Sequence, residues 1–527
     1  MKKANLIVSG PSGTTTVIPA GDIAPAIAAS TGLFSFILRD QNNRKYFFIA
    51  LIGLVIQFMV FKVLYPFPDF FSDSYSYLFA AYAHLDVNIW PIGYSRFLYS
   101  FHQLTHSGMA LVAFQYFFLE LSAIYFFFSL LYIYNLGKTT RIILFIFLFF
   151  NPLYLYIGNY VTSDAIFGGL SLIWITQLIW IIHRPKLYQI FLQAAVIFIA
   201  FTFRYNAMIY PLISAFALIM SRQKAWIKAT GIFLAPVLII PFIMFSRNAA
   251  KEMTGTPQFP PILGGWQWAN NALYMREFID VDSTKLPSPE CAELDRLARK
   301  FFRETPPAER DLPAYVANFF IRQPNAPLKQ YMMAHYKIKD ELEEVVAWGK
   351  CAPVFGQYGL YLTKGHPLAF ARHYMLVNTK NYFLPPLEKL EVYNLGLDEY
   401  WPMAQYWFDM QKEAKSYLPK TFQGTLLSLY PVLFMILNIY FAGAFIWLLT
   451  KQGFQNAGND LTRTILVISS FLLLNFGFSV FANIIVIRYQ VFPMMLFVAF
   501  SLILIELVEL VELQRKKKQF EVESPRA

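Results

Sequence analysis

Residues 46–82 read YFFIALIGLVIQFMVFKVLYPFPDFFSDSYSYLFAAY. From Tyr46 to Phe61 no side chain is charged, and with its neighbours the run reaches the roughly twenty residues a helix needs to cross a bilayer. The character then changes within a few positions: Pro66 and Pro68, the carboxylates Asp69 and Asp73, and interleaved Ser and Tyr. An apolar span that ends in a dense polar motif predicts a membrane protein with its chemistry at the rim of the lipid.

Composition extends that reading to the whole chain. The 527 residues are 57% hydrophobic, 18% aromatic and only 15% charged, against about a quarter charged in soluble domains. A soluble enzyme is excluded, because one or two ordinary cores cannot hide so much apolar surface. The net charge of +11 does not predict a nucleic-acid partner, since the basic residues form short clusters between apolar runs and not a stripe interleaved with aromatics.

About ten runs have the length and composition of spans: 46–65, 107–134, 141–158, 164–182, 187–203, 206–221, 227–245, 425–450, 463–486 and 489–511. One set of connections carries Arg39, Arg44 and Lys45, Lys138 and Arg141, Arg184 and Lys186, Arg222, Lys224 and Lys228, Lys451 and Arg463, and the run from Arg515 to Lys518. Positive charge collects on the cytoplasmic side, so both termini are expected inside and the protein is expected as an integral, multi-pass inner-membrane protein. Residues 1–45 lack a continuous apolar core and read as a cytoplasmic arm, not a cleaved signal. Residues 46–245 form an N-terminal membrane module with its first outer loop at 66–106, 246–424 an extracytoplasmic, mostly helical domain, 425–512 a C-terminal membrane module, and 513–527 a basic tail. The segment 246–424 holds 20 of the 33 acidic residues and the Pro-punctuated motifs TPQFPPILGG, LPSPE and TPPAER, too long and too polar for a connector. Cys291 and Cys351 both fall in it without metal-ligand spacing, leaving a disulfide or two free thiols.

Between residues 46 and 245 the only carboxylates are Asp69, Asp73, Asp86, Glu120 and Asp164, and four of these five fall at the outer rim. Sparse ionisable groups at lipid are costly and mark function by default. Asp69 and Asp73 lie four apart, which puts both on one face of a helical turn; Ser72, Asp73 and Ser74 equally suit a helix cap. Thr162-Ser163-Asp164 is likewise a capping cluster, with a supporting role as its alternative. Arg204 in FTFRYNAMIYP and Arg488 in FANIIVIRYQVFP break the positive-inside pattern, and forked guanidinium groups facing carboxylates suit a phosphate. Lys62, at the outer end of the first span, is a further phosphate candidate. Trp90 and Tyr94 suit headgroup depth, Arg96 a lipid phosphate or the site itself, and His102 and His106 a solvated helix face and not a metal site.

Taken in order, FSDSYSY after the first span, NP…Y…TSDAIF, RYNA…YP and a late RY…P resemble motifs of the GT-C superfamily of polytopic glycosyltransferases. The resemblance covers the membrane portion and not 246–424, and its first-loop motif is not the adjacent acidic pair of some branches. It implies an all-α fold, an outward-facing site and a polyprenyl-phosphate sugar as donor, with no cofactor and no metal. The absence of a Gly-rich phosphate loop agrees with a donor that is not a nucleotide sugar. On this reading Asp73 is the base in an inverting displacement, Asp69 its partner, and Arg488, Arg204 and Lys62 hold the donor phosphate. Asp164, Tyr77 and Tyr94 support the site; outside the resemblance, the aromatic and amide side chains of Trp266, Trp268 and Asn270, with His366 and His373, are candidate sugar or acceptor contacts, or parts of helices that rest on the membrane surface. The acceptor is a hydroxyl of a glycan, a lipid or a protein. The competing expectations are an outer-face polymerase or ligase of lipid-linked glycans, which does not require the Asp69/Asp73 motif, and a transporter or flippase, which needs ionisable residues inside the bundle.

Overall fold

The computed structural model describes residues 5–9, 15–19, 32–306 and 318–523. Residues 1–4, 10–14 and 20–31 of the expected 1–45 arm, the last four residues of TPPAER and the final four residues of the tail lie outside the described residues. Apart from a short hairpin of Asn5–Ser9 with Thr15–Pro19 and two isolated bridges, the regular secondary structure of the described chain is helical.

Among the described residues eight helical runs, some of them broken by a short kink, are long and apolar enough to cross a membrane: Gln41–Leu64, Gly108–Ile133, Lys138–Asn159, Asp164–His183, Ala225–Thr254, Phe422–Thr450, Asn459–Ala482 and Ile487–Lys516. The runs expected at 187–203 and 206–221 are helical but shorter, at Leu187–Phe203 and Tyr205–Met220. Asp164–His183 is buried over 89% of its apolar window, whereas Gln41–Leu64 is buried over only 28% and Ala225–Thr254 over 22%. A helix apolar on all sides yet exposed on most of them, as with Ile52, Ile56, Met59 and Val63, has lipid as its natural solvent. The arrangement is compatible with a multi-pass membrane protein.

Local sequence sets the breaks. The run 141–158 is two helices, Lys138–Phe149 and Pro152–Asn159, because Pro152 cannot donate to the preceding turn; Asn151 caps the second by accepting from the Leu153 N–H at 3.1 Å. Gly158 lets that second helix lie against Gly108–Ile133, where an added Cβ would meet Tyr116 Cβ at 2.9 Å.

The segment 246–424 divides in two. Its first part is helical (Leu263–Arg276, Pro289–Glu304, Pro327–His335, Glu341–Gly365) around a separate core that includes Leu273, Leu294, Leu328, Trp348 and Phe355. Gly265 and Gly359 bring Leu263–Arg276 and Glu341–Gly365 into backbone contact: a side chain at Gly265 would strike the Ala352 carbonyl, and one at Gly359 the Trp268 backbone. The second part, from Tyr382 to Ala414, packs into the main helical core through Leu390, Tyr393, Tyr400 and Trp407. The boundary expected at 246 falls within the helix that runs on to Thr254. Cys291 and Cys351 are both buried and both free.

Candidate functional site

The motif after the first span does not form one helical turn. Pro66 and Pro68 keep 65–71 out of helix, and Asp69 lies in extended chain bridged to Tyr160, its N–H donating to Asn159 O at 2.9 Å and its carbonyl accepting from Val161 N at 3.0 Å. The helix begins only at Ser72, so Asp69 and Asp73 do not share a helix face, as their spacing suggested. The capping alternative is resolved at the same point: Ser74 Oγ accepts from the Phe71 N–H at 3.1 Å, and the Asp73 side chain caps nothing.

Asp73 turns instead to two arginines. Arg322 Nη2 donates to its Oδ1 at 2.7 Å and Arg488 Nη2 to its Oδ2 at 3.1 Å. Arg488 is the hub, with Nη1 reaching Asp164 Oδ2 at 3.3 Å, Nη2 also donating to Tyr489 Oη at 2.9 Å, and Nε lying 3.9 Å from Glu388. Arg204 pairs with the other oxygen of Asp164, and its guanidinium stands 4.9 Å from the centre of the Tyr489 ring, which Arg488 also faces at 4.7 Å. Asp164 is therefore spent on the arginines and on Thr162, whose hydroxyl donates to it at 3.0 Å. Lys389 Nζ, 3.9 Å from Glu388, completes the group. Burial pushes the Asp73 carboxyl up, but Arg322, Arg488 and Lys389 together more than offset it and hold it below the usual carboxylate range.

Two cavities meet at this cluster. A cleft of about 430 Å3 has Asp73 and Arg322 at one end and aromatic walls that include Tyr75, Trp90, Trp266, Trp348 and Trp401. On the other side, among the apolar helices, a small recess of about 30 Å3 is lined by Asp164, Arg204, Asn206, Asn475, Arg488 and Tyr489 together with apolar side chains such as Phe167, Phe471 and Phe492. The Asp73–Arg488 pair stands between them.

Asp69 is 1% exposed and lines neither cavity. Its Oδ1 accepts the Asn394 N–H at 2.8 Å, and burial raises its carboxyl to about 7 despite that bond. Asn394 belongs to a strap whose residues Glu388, Asn394 and Leu395 have left-handed backbone. The strap is held further by Tyr393 Oη on Phe67 O at 3.2 Å and by Tyr160 Oη on Lys389 O at 2.6 Å. Asp69 thus anchors the strap that carries Glu388 and Lys389 to Arg488. Three non-glycine residues in that conformation cost free energy, and persist because these bonds over-determine them.

Of the other expected site residues, Lys62 is buried and donates to Asn159 Oδ1 at 2.8 Å and Phe67 O at 3.1 Å, away from the arginines. Tyr77 Oη lies 3.2 Å from Ser163 Oγ beneath the cluster, and Tyr94 donates to Gln115 Oε1 at 2.6 Å. Trp266 lines the cleft. Trp268 lies edge-on to Phe481, Asn270 Oδ1 accepts the buried Phe320 N–H, and His373 stacks on Phe278 at 3.9 Å; these three and His366 line neither cavity. Arg96 pairs with Asp86 at 2.5 Å, and His102 stacks between His106 and Trp407. Among the described residues no three His, Cys, Asp or Glu side chains gather as a metal site. Arg322, Glu388, Lys389, Trp348 and Trp401 were not foreseen, and nothing in their local sequence marks them.

The chain matches no protein-family model, no curated protein and no solved structure.

Proposed function

We propose that this protein is an inverting glycosyltransferase that moves a sugar from a polyprenyl-phosphate donor to a hydroxyl on the outer membrane face. In this reading the eight long helical runs and the two shorter ones make ten spans, both termini are cytoplasmic, and the end of the bundle that carries Asp73 faces outward. The observation that carries the reading is the position of Asp73 between an arginine-lined recess among apolar helices and an aromatic cleft of about 430 Å3.

The recess suits a phosphate whose lipid tail lies between helices, and the cleft suits an acceptor. The acceptor hydroxyl attacks the anomeric carbon as Asp73 takes its proton; the bond from that carbon to the phosphate oxygen breaks, and its electron pair leaves on the lipid phosphate beside Arg488 and Arg204. Fixed cations in a site shielded from water are worth most at that moment. The charge count agrees. Among the described residues, Arg204, Arg322, Arg488 and Lys389 face Asp73, Asp164 and Glu388, an excess of one positive charge that matches a phosphodiester donor. After transfer Asp73 is protonated and the excess is two, matching the phosphate dianion left behind.

In the free protein Asp73 is a weak base, because Arg322 and Arg488 hold its carboxylate. A phosphate in the recess competes for Arg488, and Asp73 gains basicity when the donor is in place. The test is transfer by purified protein in detergent, from a panel of radiolabelled polyprenyl-phosphate sugars to total membrane glycolipid, with the anomeric configuration of the product read by NMR. Transfer with inversion is expected. Retention of configuration, or failure of every donor to bind, refutes the reading.

A further inference from the structure

We infer that the aromatic cleft beside Asp73 is a saccharide site that takes a neutral sugar acceptor and rejects an acidic one. This rests on the transferase reading and names the acceptor that the reading leaves open.

Four of the ten tryptophans of the chain, Trp90, Trp266, Trp348 and Trp401, come from separate parts of the sequence to this one cavity. Trp401 is 46% exposed and lies over Tyr75 with ring centres 4.4 Å apart and planes within 12°, a broad flat platform for the C–H face of a pyranose ring. Across the cleft, Trp266 meets Trp348 edge-on at 4.5 Å. Among the described residues the Trp266 indole N–H is buried with no partner, and as a donor only it is satisfied by a hydroxyl or ring oxygen. An unpaired buried donor of this kind costs free energy that a ligand oxygen would recover.

Charge decides the class of sugar. Both cations in the described lining are already paired: Arg322 with Asp73 at 2.7 Å, and Lys329 with Glu344, above the Trp348 ring at 5.3 Å. Glu344 also accepts from Trp348 Nε1 at 3.3 Å. Among the described residues Glu341 has no ion-pair partner, and burial, with Glu344 and Asp340 near it, pushes its carboxyl up. An acidic sugar therefore brings a negative charge to a cleft with no free cation and one uncompensated carboxylate. A neutral sugar needs only the ring faces and hydroxyl partners, and sets a hydroxyl toward Asp73. The Lys329 ammonium, paired with Glu344 over the Trp348 ring, repels a second ammonium from that wall of the cleft.

Saturation-transfer NMR on the full-length protein in detergent tests this with three probes: a neutral hexose trisaccharide, its amino-sugar counterpart and a trigalacturonate. The neutral probe is expected to bind at least tenfold more tightly than the trigalacturonate. Trp401→Ala, at a half-exposed position, is expected to weaken the neutral probe about tenfold, and Glu341→Lys to narrow the gap between neutral and acidic probes. Equal binding of neutral and acidic probes, tightest binding of the amino sugar, no binding of any probe, or indifference to Trp401→Ala overturns the inference. Binding as expected without transfer from any polyprenyl-phosphate donor leaves the cleft standing as a sugar site and refutes the transferase reading; transfer without saccharide binding does the reverse.

Discussion

Asp69→Asn separates anchoring from catalysis, and its effect is worked from one buried carboxyl. Burial raises Asp69 from its ordinary value of 3.8 to about 7, against the opposing bond from the Asn394 N–H. At about 1.4 kcal/mol per unit, keeping the group ionised costs the fold about 4 kcal/mol. In the unfolded chain the proton leaves near pH 4, whereas the native chain holds it to about 7. Stability therefore falls as pH rises through that window and is flat above it. Asparagine keeps an oxygen for the Asn394 N–H and carries no charge. The variant is expected to match wild type near pH 4 and to become progressively more stable, by up to about 4 kcal/mol at pH 8, a few degrees in Tm. Thermal unfolding in detergent, followed by intrinsic fluorescence at pH 4 to 8.5, reads this directly, and sugar transfer should survive in the variant because the strap stays anchored. A stability difference that does not change with pH, or a variant less stable at pH 8, refutes the reasoning.

Arg488→Lys keeps the charge but loses the fork that spans Asp73, Asp164 and Tyr489; binding of polyprenyl phosphate, measured by titration, is expected to weaken about tenfold to a hundredfold. Arg322→Ala removes one of the two cations bonded to Asp73, so its carboxyl rises, and the acidic limb of the kcat/KM profile for transfer should move to higher pH. Burial pushes the Cys351 thiol up to about 12, so Cys351 should resist maleimide in the folded protein and react once the protein is unfolded, with no shift on a non-reducing gel. Gly359→Ala should destabilise the packing of Leu263–Arg276 on Glu341–Gly365 by about 1–3 kcal/mol, seen as a lower midpoint in denaturant.

What the sequence reveals follows from which interactions are local. Apolar runs read directly as helices because the period and length of a span are written in consecutive residues, and the Asn151-Pro152 break is equally local. The two arginines that violate charge bias, Arg204 and Arg488, were visible for the same reason, and the structure brings both to Asp164. Arg322 was not visible: it is one of many basic residues in a polar segment, and only its approach across 249 positions to Asp73 distinguishes it. The division of labour between Asp69 and Asp73 was hidden because it depends on Asn394, far along the chain, and on two prolines that take Asp69 out of helix. The four tryptophans of the cleft have no common motif, since tertiary packing alone gathers them.

The most direct test of the account is single-turnover transfer by Asp73→Asn protein with a donor that wild type uses, measured beside equilibrium binding of polyprenyl phosphate to the same variant. The account predicts donor binding at least as tight as wild type, because Arg488 is released from a carboxylate, and transfer slower by a factor of at least about a hundred. Transfer at the wild-type rate would contradict it and remove Asp73 from the chemistry.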